Sequence, residues 1–280
     1  MRAASGLPTA GLVRREGSGI ARSAPTLRER VTAPFRALPN LLVIGAQKCG
    51  TSSLHEFLGR QREIRMSRIK ECDVLWTARW SMLGYRAYFP KRSACARDRI
   101  RRVGESSPFY LFHPAAVEGA RRLDAATDDL RVIAVLRDPV ERAWSHYKHA
   151  QRRHGESMPF EQALDEEERR ISRDETGFRA FSYQARSEYA PQLARWFDLL
   201  GRDRVLVLEF REVLAMRAET CADIGRFLGL STALEGELGE FNLGRRKEIP
   251  ASARARLEER FRRPNEELAQ LLGRRFAWME

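Results

Sequence analysis

The feature that most constrains this chain is a short apolar run followed by a glycine-bracketed loop. Residues 41–44 (Leu-Leu-Val-Ile) are branched and apolar, which is typical of a strand buried in a parallel sheet. Gly45 and Gly50 bracket the loop, and Thr51 opens a segment with helical patterning. A strand, loop and helix in this order direct backbone N–H groups and the positive end of a helix dipole into one concavity. The stretch therefore predicts a phosphate-binding loop.

The position of the lysine distinguishes this loop from that of the P-loop nucleotide-binding proteins. In their motif a lysine directly precedes the first Ser or Thr of the helix. Here Gly50 occupies that position, and Lys48 lies two residues earlier. Of the 50 basic residues in the chain, 45 are arginine, so a lysine at this position is notable. Lysine provides a compact charge that approaches a reacting oxygen more closely than a guanidinium does.

Alternating strand and helix patterns continue along the chain. Segments 101–105, 130–136 and 204–210 predict three further strands, and 130–136 is strongly apolar. Helices are predicted at 51–59, 113–123, from 139 onward, 159–175, 188–200, 217–228 and 252–272. Residues 60–78 and 177–187 are interpreted as connections. The connections between strands are long enough for parallel crossovers, so we predict an α/β fold, P-loop-like and three-layered (α/β/α), with a mainly parallel central sheet.

The chain divides into a basic lead and one folded domain. Residues 1–39 are rich in Arg, Ala, Ser, Gly and Pro and show no sustained periodicity, which predicts a disordered lead. Residues 40–280 have the length of a single domain with a sizeable core. The formal net charge of +12 favours an anionic ligand.

The cysteines and the hydropathy bear on location. Cys49, Cys72, Cys95 and Cys221 have neither metal-ligand spacing nor the framework of a disulfide-rich secreted protein. We therefore expect reduced thiols and a cytoplasmic protein. The sequence contains no apolar run near the length of about 20 residues that a membrane span requires.

The loop sequence Gln47-Lys-Cys-Gly-Thr-Ser52 resembles that of the PAPS-dependent sulfotransferases, and most closely the glycan-type branch that includes the heparan sulfate sulfotransferases. The resemblance extends from about Leu41 to Arg274. It implies 3′-phosphoadenosine 5′-phosphosulfate (PAPS) as sulfuryl donor and the desulfated nucleotide PAP as product. The residues implied to bind the 5′-phosphosulfate are Gln47, Lys48, Cys49, Gly50, Thr51 and Ser52. Lys48 would lie at the bridging oxygen and stabilise the leaving phosphate.

A second motif, residues 135–147, resembles the 3′-phosphate site of the same family. The resemblance assigns this role to Arg137, at the end of a predicted strand, and to Ser145 on the following helix. Independently, an arginine at the carboxyl end of a parallel strand faces the crevice where α/β proteins bind ligands, and its planar fork suits a phosphate. A surface ion pair of Arg137 with Glu141 or Asp138 is the alternative. Arg246 and Lys247 correspond to a basic loop that closes over the 3′-phosphate in relatives.

The pair Lys70-Glu71 corresponds to the residues that supply the general base in the glycan-type enzymes. Sulfuryl transfer to a hydroxyl requires removal of the acceptor proton, which a positioned carboxylate can perform. The sequence departs from the family after this pair, because Asp73 stands where relatives carry a histidine. Glu71 and Asp73 therefore both remain candidates for the base, with Lys70 beside the acceptor.

The segment 104–110 resembles a family motif that usually reads Glu-Lys-(Ser/Thr)-Pro. Glu105 and Ser107 keep their places, whereas Ser106 replaces the lysine. The resemblance implies that these three residues lie on the acceptor side. Loss of the lysine removes a positive charge, which favours a less charged acceptor such as a natural-product hydroxyl, a lipid or a simple glycan.

Two other classes of protein were weighed against a sulfotransferase. A P-loop kinase or NTPase requires a lysine at position 50 and Mg²⁺, although residues 130–138 mimic the acidic strand of such enzymes. A protein that binds nucleic acid or another polyanion requires basic residues interleaved with exposed aromatic residues. We expect no nucleic-acid partner and no metal, since the five histidines form no ligand set. The expected partner is a small-molecule or glycan acceptor, and the sequence makes no prediction of oligomeric state.

Overall fold

A computed structural model of the chain describes residues 24–238 and 248–279. Within these residues five strands form one sheet, and every neighbouring pair is parallel. The strands are β1 Leu41–Gly45, β2 Ile64–Met66, β3 Arg102–Ser106, β4 Arg131–Leu136 and β5 Val205–Glu209. Their spatial order is β2-β3-β1-β4-β5. The predicted α/β class with a mainly parallel sheet is confirmed.

The helices alternate with the strands along the chain. They are α1 Leu27–Val31, α2 Thr51–Gly59, α3 Met82–Arg86, α4 Arg92–Arg97, α5 Ala115–Asp124, α6 Pro139–Arg153, α7 Phe160–Asp165, α8 Glu167–Arg173, α9 Glu175–Phe181, α10 Tyr189–Leu200, α11 Phe210–Ala215, α12 Ala218–Leu228 and α13 Ala251–Leu272. Short 3₁₀ turns occupy Ala33–Phe35, Ala185–Ser187, Arg202–Arg204 and Ala277–Met279. None of the helices in the described part is long and apolar enough to cross a membrane.

The centre of the sheet is fully enclosed. Residues 41–44 of β1 and 132–136 of β4 are all completely buried. Because successive side chains of a strand point to opposite faces, this burial means that helices cover the sheet on both sides, as in a three-layer α/β/α fold. The continuous apolar runs that predicted these two strands thus correspond to two-sided burial.

The strand order determines where loops converge. β1 lies between β3 and β4, and Leu42 is in register with Glu105 on one side and Val132 on the other. After β1 the chain moves to one side of the sheet for β2 and β3, then crosses to the other side for β4 and β5. Such a switch point opens a crevice at the carboxyl ends of the strands, where α/β proteins bind ligands.

Two predicted segments have a different secondary structure. The predicted connection 60–78 contains β2, an edge strand of only three residues with one buried side chain, Ile64, so it has no apolar run to reveal it. The predicted single helix 159–175 is divided into α7, α8 and α9, and α9 extends into the predicted loop 177–187. The division before α9 occurs at Asp174, which is extended (φ −162°, ψ 165°) and whose carboxylate accepts the Gly177 N–H.

The predicted disordered lead also differs in part. Residues 1–23 lie outside the described residues, but residues 24–39 pack onto the domain. Thr26 and Glu29 form a reciprocal capping box at the start of α1. Arg36 donates to the Phe89 carbonyl at 2.5 Å, and Leu38 belongs to the apolar core. The fold therefore begins before residue 40, because long-range contacts of Arg36 and Leu38 anchor a segment of disorder-like composition.

Candidate active site

Residues 47–53, which comprise most of the loop after β1 and the first turn of α2, are called the phosphate loop here. Gly50 is the N-cap of α2 and has a left-handed conformation (φ 78°). No side chain caps the first turn of this helix. Lys48 is also left-handed (φ 74°), which is uncommon for a residue with a side chain. The local sequence thus produces a helix start whose first-turn N–H groups are available to an anion.

Gly50 is required by space as well as by conformation. A Cβ atom at this position would lie 2.8 Å from Cε2 of Phe210, closer than real Cβ contacts permit. The position at which P-loop enzymes carry their lysine is therefore closed by an aromatic ring from α11. A lysine at position 50 would therefore clash with this ring.

The phosphate loop opens into a cavity of about 1640 Å³. This exceeds the volume of about 300–1,000 Å³ that is usual for a single small ligand, so there is room for two substrates together. The predicted site residues that line it are Gln47, Lys48, Gly50, Thr51, Ser52, Lys70, Glu71, Arg137 and Ser145. Residues that are distant in the sequence are thus brought to one cavity at the predicted edge of the sheet.

Lys48 is half-buried at the wall of this cavity. Burial lowers the pKa of its ammonium group to about 8, and the neighbouring charges of Arg152 and Arg137 act in the same direction. The guanidinium Nη1 of Arg137 lies 3.5 Å from the Lys48 carbonyl. An anion bound between these cations would relieve their mutual repulsion.

Arg137 follows β4 directly, forms an ion pair and also lines the cavity. Its Nη2 lies 3.3 Å from Glu141 Oε2, so the ion pair with Glu141 is formed. Glu141 is shared with Arg254 at 2.8 Å, and the Arg137 guanidinium also lies 5.0 Å from the centre of the Phe210 ring. Arg137 nevertheless lines the cavity, as does Ser145 two turns along α6.

Asp138 is the acid that resembles the magnesium-binding residue of P-loop enzymes, and its carboxylate accepts hydrogen bonds from the backbone. Its Oδ1 accepts the N–H groups of Val140 at 2.8 Å and Glu141 at 3.2 Å, which caps α6. In residues 24–238 and 248–279 no group of three or more His, Cys, Asp or Glu side chains could hold a metal ion. The four cysteines are free thiols.

Residues 70–75, called the base loop here, form another part of the cavity wall. Lys70 Nζ lies 3.0 Å from Glu71 Oε1, and both side chains line the cavity. Asp73 is buried and forms an ion pair with Arg179 instead. Of the two carboxylates considered for the base, Glu71 therefore lines the cavity and Asp73 does not.

Glu105, Ser106 and Ser107 at the end of β3 are fully buried, and none of them lines the cavity. Ser106 Oγ lies 3.1 Å from His55 Nδ1, and Glu105 accepts hydrogen bonds from Ser107 and Tyr110. These residues lie behind the base loop because β3 is covered on both faces. Cys49, also expected at the donor, is buried as well, while Arg246 and Lys247 lie outside the described residues.

The structure adds cavity residues that the sequence motifs did not indicate. Lys148, His149 and Arg152 follow Ser145 by three, four and seven positions on α6, so they share its face and line the cavity. That helical spacing was the available signal. Burial, followed by the charge of Lys48, lowers the pKa of His149 to about 4, so its imidazole is neutral at physiological pH.

The chain was compared with known proteins. Residues 38–267 match the family model of the sulfotransferase domain. The chain is 24% identical over 269 residues to the bifunctional heparan sulfate N-deacetylase/N-sulfotransferase 2 of Bos taurus, covering 85% of this chain and 30% of that relative. It is 25% identical over 298 residues to the human heparan sulfate glucosamine 3-O-sulfotransferase 3A1, covering 94% of this chain and 68% of that relative.

A solved structure is also similar. The sulfotransferase from Alicyclobacillus acidocaldarius superposes with a TM-score of 0.68 at 28% identity, covering 87% of this chain and all of that one. The chain thus spans under a third of the length of the bovine relative, whereas the family model covers most of the chain. With its parallel sheet, phosphate loop and matching domain model, this chain belongs to the sulfotransferase family.

Proposed function

We propose that this protein transfers the sulfuryl group of PAPS to a hydroxyl group of an acceptor and releases PAP. Family membership implies the donor and the product. The observation that carries the proposal is that Lys48 of the phosphate loop and Glu71 of the base loop line the same cavity. A cation for the leaving group and a carboxylate for the acceptor proton are the two groups that this transfer requires.

The residues present fit an anionic nucleotide. The start of α2 and Lys48 would hold the phosphosulfate end, and Arg137 with Ser145 would hold the 3′-phosphate. The fit is supported by the lowered pKa of Lys48, because burial, aided by the charges of Arg152 and Arg137, disfavours its ammonium form, which a bound anion would stabilise. When bound, PAPS supplies an activated sulfuryl group with a phosphate leaving group.

The protein's own side chains would then act at two atoms. Glu71 accepts the proton of the acceptor hydroxyl as the oxygen forms its bond to sulfur, and Lys48 stabilises the negative charge that the bridging oxygen acquires as its bond to sulfur breaks. Lys70, 3.0 Å from Glu71, orients that carboxylate. His149 is a neutral second proton acceptor on the same cavity wall.

A glycan is the acceptor class that we favour. The relatives named above are heparan sulfate enzymes. The argument for a less charged acceptor rested on Ser106, and its weight falls because Ser106 is fully buried and does not line the cavity. Lys148 and Arg152 add positive charge to the wall near Lys48, which suits an acceptor that carries anionic groups.

A P-loop phosphotransferase is not favoured. Phe210 occupies the space that a side chain at position 50 would need, and Asp138 caps α6. A kinase of that type needs both the lysine and a carboxylate for Mg²⁺. Position 50 therefore has no room for the lysine, and the Asp138 carboxylate is already used as a helix cap.

Ligand-dependent thermal stability separates these functions. PAP is expected to raise the melting temperature of the full chain, with no comparable shift from ATP-Mg²⁺ or from duplex DNA. Transfer is then measured with ³⁵S-labelled PAPS on heparan sulfate, p-nitrophenol and a long-chain alcohol. Stabilisation by ATP-Mg²⁺ and not by PAP would overturn the proposal, and labelling of the two neutral acceptors alone would overturn the preference for a glycan.

A further inference from the structure

The base loop has an unusual backbone. Glu71 and Asp73 both have left-handed conformations, with φ of 60° and 53°. Non-glycine residues rarely adopt this region, and they persist there where the surrounding structure determines them. Something outside the loop must therefore hold it in place.

Backbone N–H groups of the loop bind two buried hydroxyl oxygens. The Asp73 N–H donates to Ser107 Oγ at 3.1 Å. The N–H groups of Val74 and Leu75 both donate to Tyr110 Oη, at 2.9 Å and 3.3 Å. Three consecutive residues after Glu71 are thus attached to side chains from the end of β3 and the turn that follows it.

The carboxylate of Glu105 orients both hydroxyl groups by accepting their hydrogens. Ser107 Oγ donates to Glu105 Oε2 at 2.6 Å, and Tyr110 Oη donates to Glu105 Oε1 at 2.8 Å. A hydroxyl group has a single hydrogen, so an oxygen that gives this hydrogen to Glu105 presents its lone pairs to the loop. The arrangement requires an acceptor atom at both ends of the side chain at position 105.

Tyr85 on α3 completes the surroundings of Glu105. Its hydroxyl donates to Oε1 of Glu105, and its ring packs against Phe89 at a centroid distance of 5.1 Å. No hydrogen bond joins Tyr85 to residues 70–75 in the described part of the chain. Tyr85 and Tyr110 thus both donate to Oε1 of Glu105. The hydroxyl group of Tyr110 also accepts hydrogen bonds from the base loop.

We infer that Glu105 is a positioning residue, which holds the base loop through Ser107 and Tyr110 and thereby sets the carboxylate of Glu71 in the cavity. The inference rests on the proposed role of Glu71 as base. It gives a function to a buried acid that neither the transfer chemistry nor the apolar core requires. Glu105 and Ser107 were expected on the acceptor side. The inference gives them a different role, which is to support the loop that carries Glu71.

Isosteric substitutions test this inference. Glu105→Gln places an NH₂ group against either the Ser107 hydroxyl or the two tyrosine hydroxyls, so one attachment of the loop is lost. Tyr110→Phe removes the bonds to Val74 and Leu75. Tyr85→Phe is the matched control, because it also removes a tyrosine hydroxyl from Glu105 and leaves both attachments of the loop intact.

Amide hydrogen exchange, turnover, PAP affinity and melting temperature are measured on each full-length variant. Amide hydrogen exchange of residues 73–75 in the PAP-bound protein is expected to accelerate in Glu105→Gln and Tyr110→Phe, and to match the wild-type rate in Tyr85→Phe. Turnover on the probe acceptor that the wild-type protein sulfates is expected to fall on the order of tenfold or more in the first two variants, since small displacements of a catalytic group are costly. The PAP affinity should stay within about twofold.

Equal losses of turnover in Tyr85→Phe and Tyr110→Phe, or unchanged exchange at residues 73–75 in Glu105→Gln, would overturn the inference. A purely structural role would lower the melting temperature of Tyr85→Phe and Tyr110→Phe alike without separating their turnover. If the wild-type protein binds PAP but labels none of the probes, the proposed function fails while the exchange measurement still decides whether Glu105 holds the loop.

Discussion

The two loops that carry the proposed chemistry are held in place by different means. The phosphate loop connects β1 to α2, so buried regular structure fixes both of its ends. The base loop is followed by no helix until α3 and is held by hydrogen bonds to β3 and the turn after it. Both contain left-handed residues with side chains, Lys48 in one and Glu71 in the other. Flanking strand and helix thus hold the left-handed residue of one loop. The other loop is held by the bond of the Glu71 N–H to the Ser106 carbonyl at 2.9 Å and by buried hydroxyl groups.

This difference has a practical consequence. Side-chain substitutions in the phosphate loop remove a chemical group but leave the loop in place, because its geometry comes from strand, glycine and helix. Substitutions behind the base loop remove no reacting group, yet they release the loop that carries one. Substitutions in or near the two loops are therefore expected to affect turnover, PAP affinity and stability differently.

The largest effect is expected for Lys48→Ala. Loss of the cation at the leaving group should reduce turnover by about 10²–10³-fold, in the range found for removal of one transition-state donor. The melting temperature should be nearly unchanged, because the loop conformation does not depend on this side chain. Turnover and thermal unfolding are compared with those of Lys91→Ala, an exposed lysine. A Lys48→Ala variant that keeps most of its turnover would show that the phosphate loop contributes only its backbone.

Glu71→Gln tests the corresponding group of the base loop. Removal of a general base should lower turnover about 100-fold, and the PAP affinity should be retained because the phosphate loop is separate. Titration calorimetry with PAP and a single-turnover assay measure the two quantities. Asp73→Asn is the comparison, since it breaks a buried ion pair with Arg179 and should reduce stability more than turnover. The reverse pattern in these two variants would transfer the base role to Asp73.

Arg137→Ala should have the opposite kinetic signature to Glu71→Gln. Loss of a charge-assisted hydrogen bond to the 3′-phosphate should weaken PAP binding by about 1.5–3 kcal/mol, as measured by calorimetry. Glu141→Gln removes the ion-pair partner of Arg137 while leaving the guanidinium in the cavity, so it should retain PAP affinity. If both variants bind PAP like the wild type, Arg137 serves only its ion pair with Glu141.

The smallest effect is a pH dependence that belongs to the phosphate loop. Burial, aided by Arg152 and Arg137, lowers the pKa of Lys48 to about 8, so the ammonium form that an anion prefers is lost as the pH rises through this value. The PAP affinity should therefore fall roughly eightfold between pH 7.5 and 9, following the protonated fraction. Lys48→Arg should flatten this profile, and a wild-type profile without an inflection would exclude Lys48 as its origin.

Much of the phosphate loop could be predicted from the sequence because its determinants are local. The apolar run of β1, the glycine at position 50 and the hydroxyl residues at the start of α2 lie within one short stretch. Arg137 and Ser145 belong to one strand–helix unit. Backbone conformation over a few residues follows from such patterns. The parallel sheet followed from the same reasoning applied to each apolar run.

The environment of the base could not be predicted in this way. The ion pair of Asp73 with Arg179 joins residues that are 106 positions apart. The spacing of Glu105 and Ser107 gave no indication that β3 would be buried on both faces. For the same reason the lead segment 24–39 and the edge strand β2 were missed, since long-range contacts define them.

The sequence by itself therefore determined the fold class, the phosphate loop with its displaced lysine and the family of the chain. The tertiary structure alone decided that Phe210 closes position 50, that Glu71 lines the cavity while Asp73 does not, and that Glu105 lies behind the base loop. The physical reason is that backbone preferences act between neighbours in sequence. Burial, ion pairs and hydroxyl networks act between neighbours in space, which only the packing of the sheet brings together.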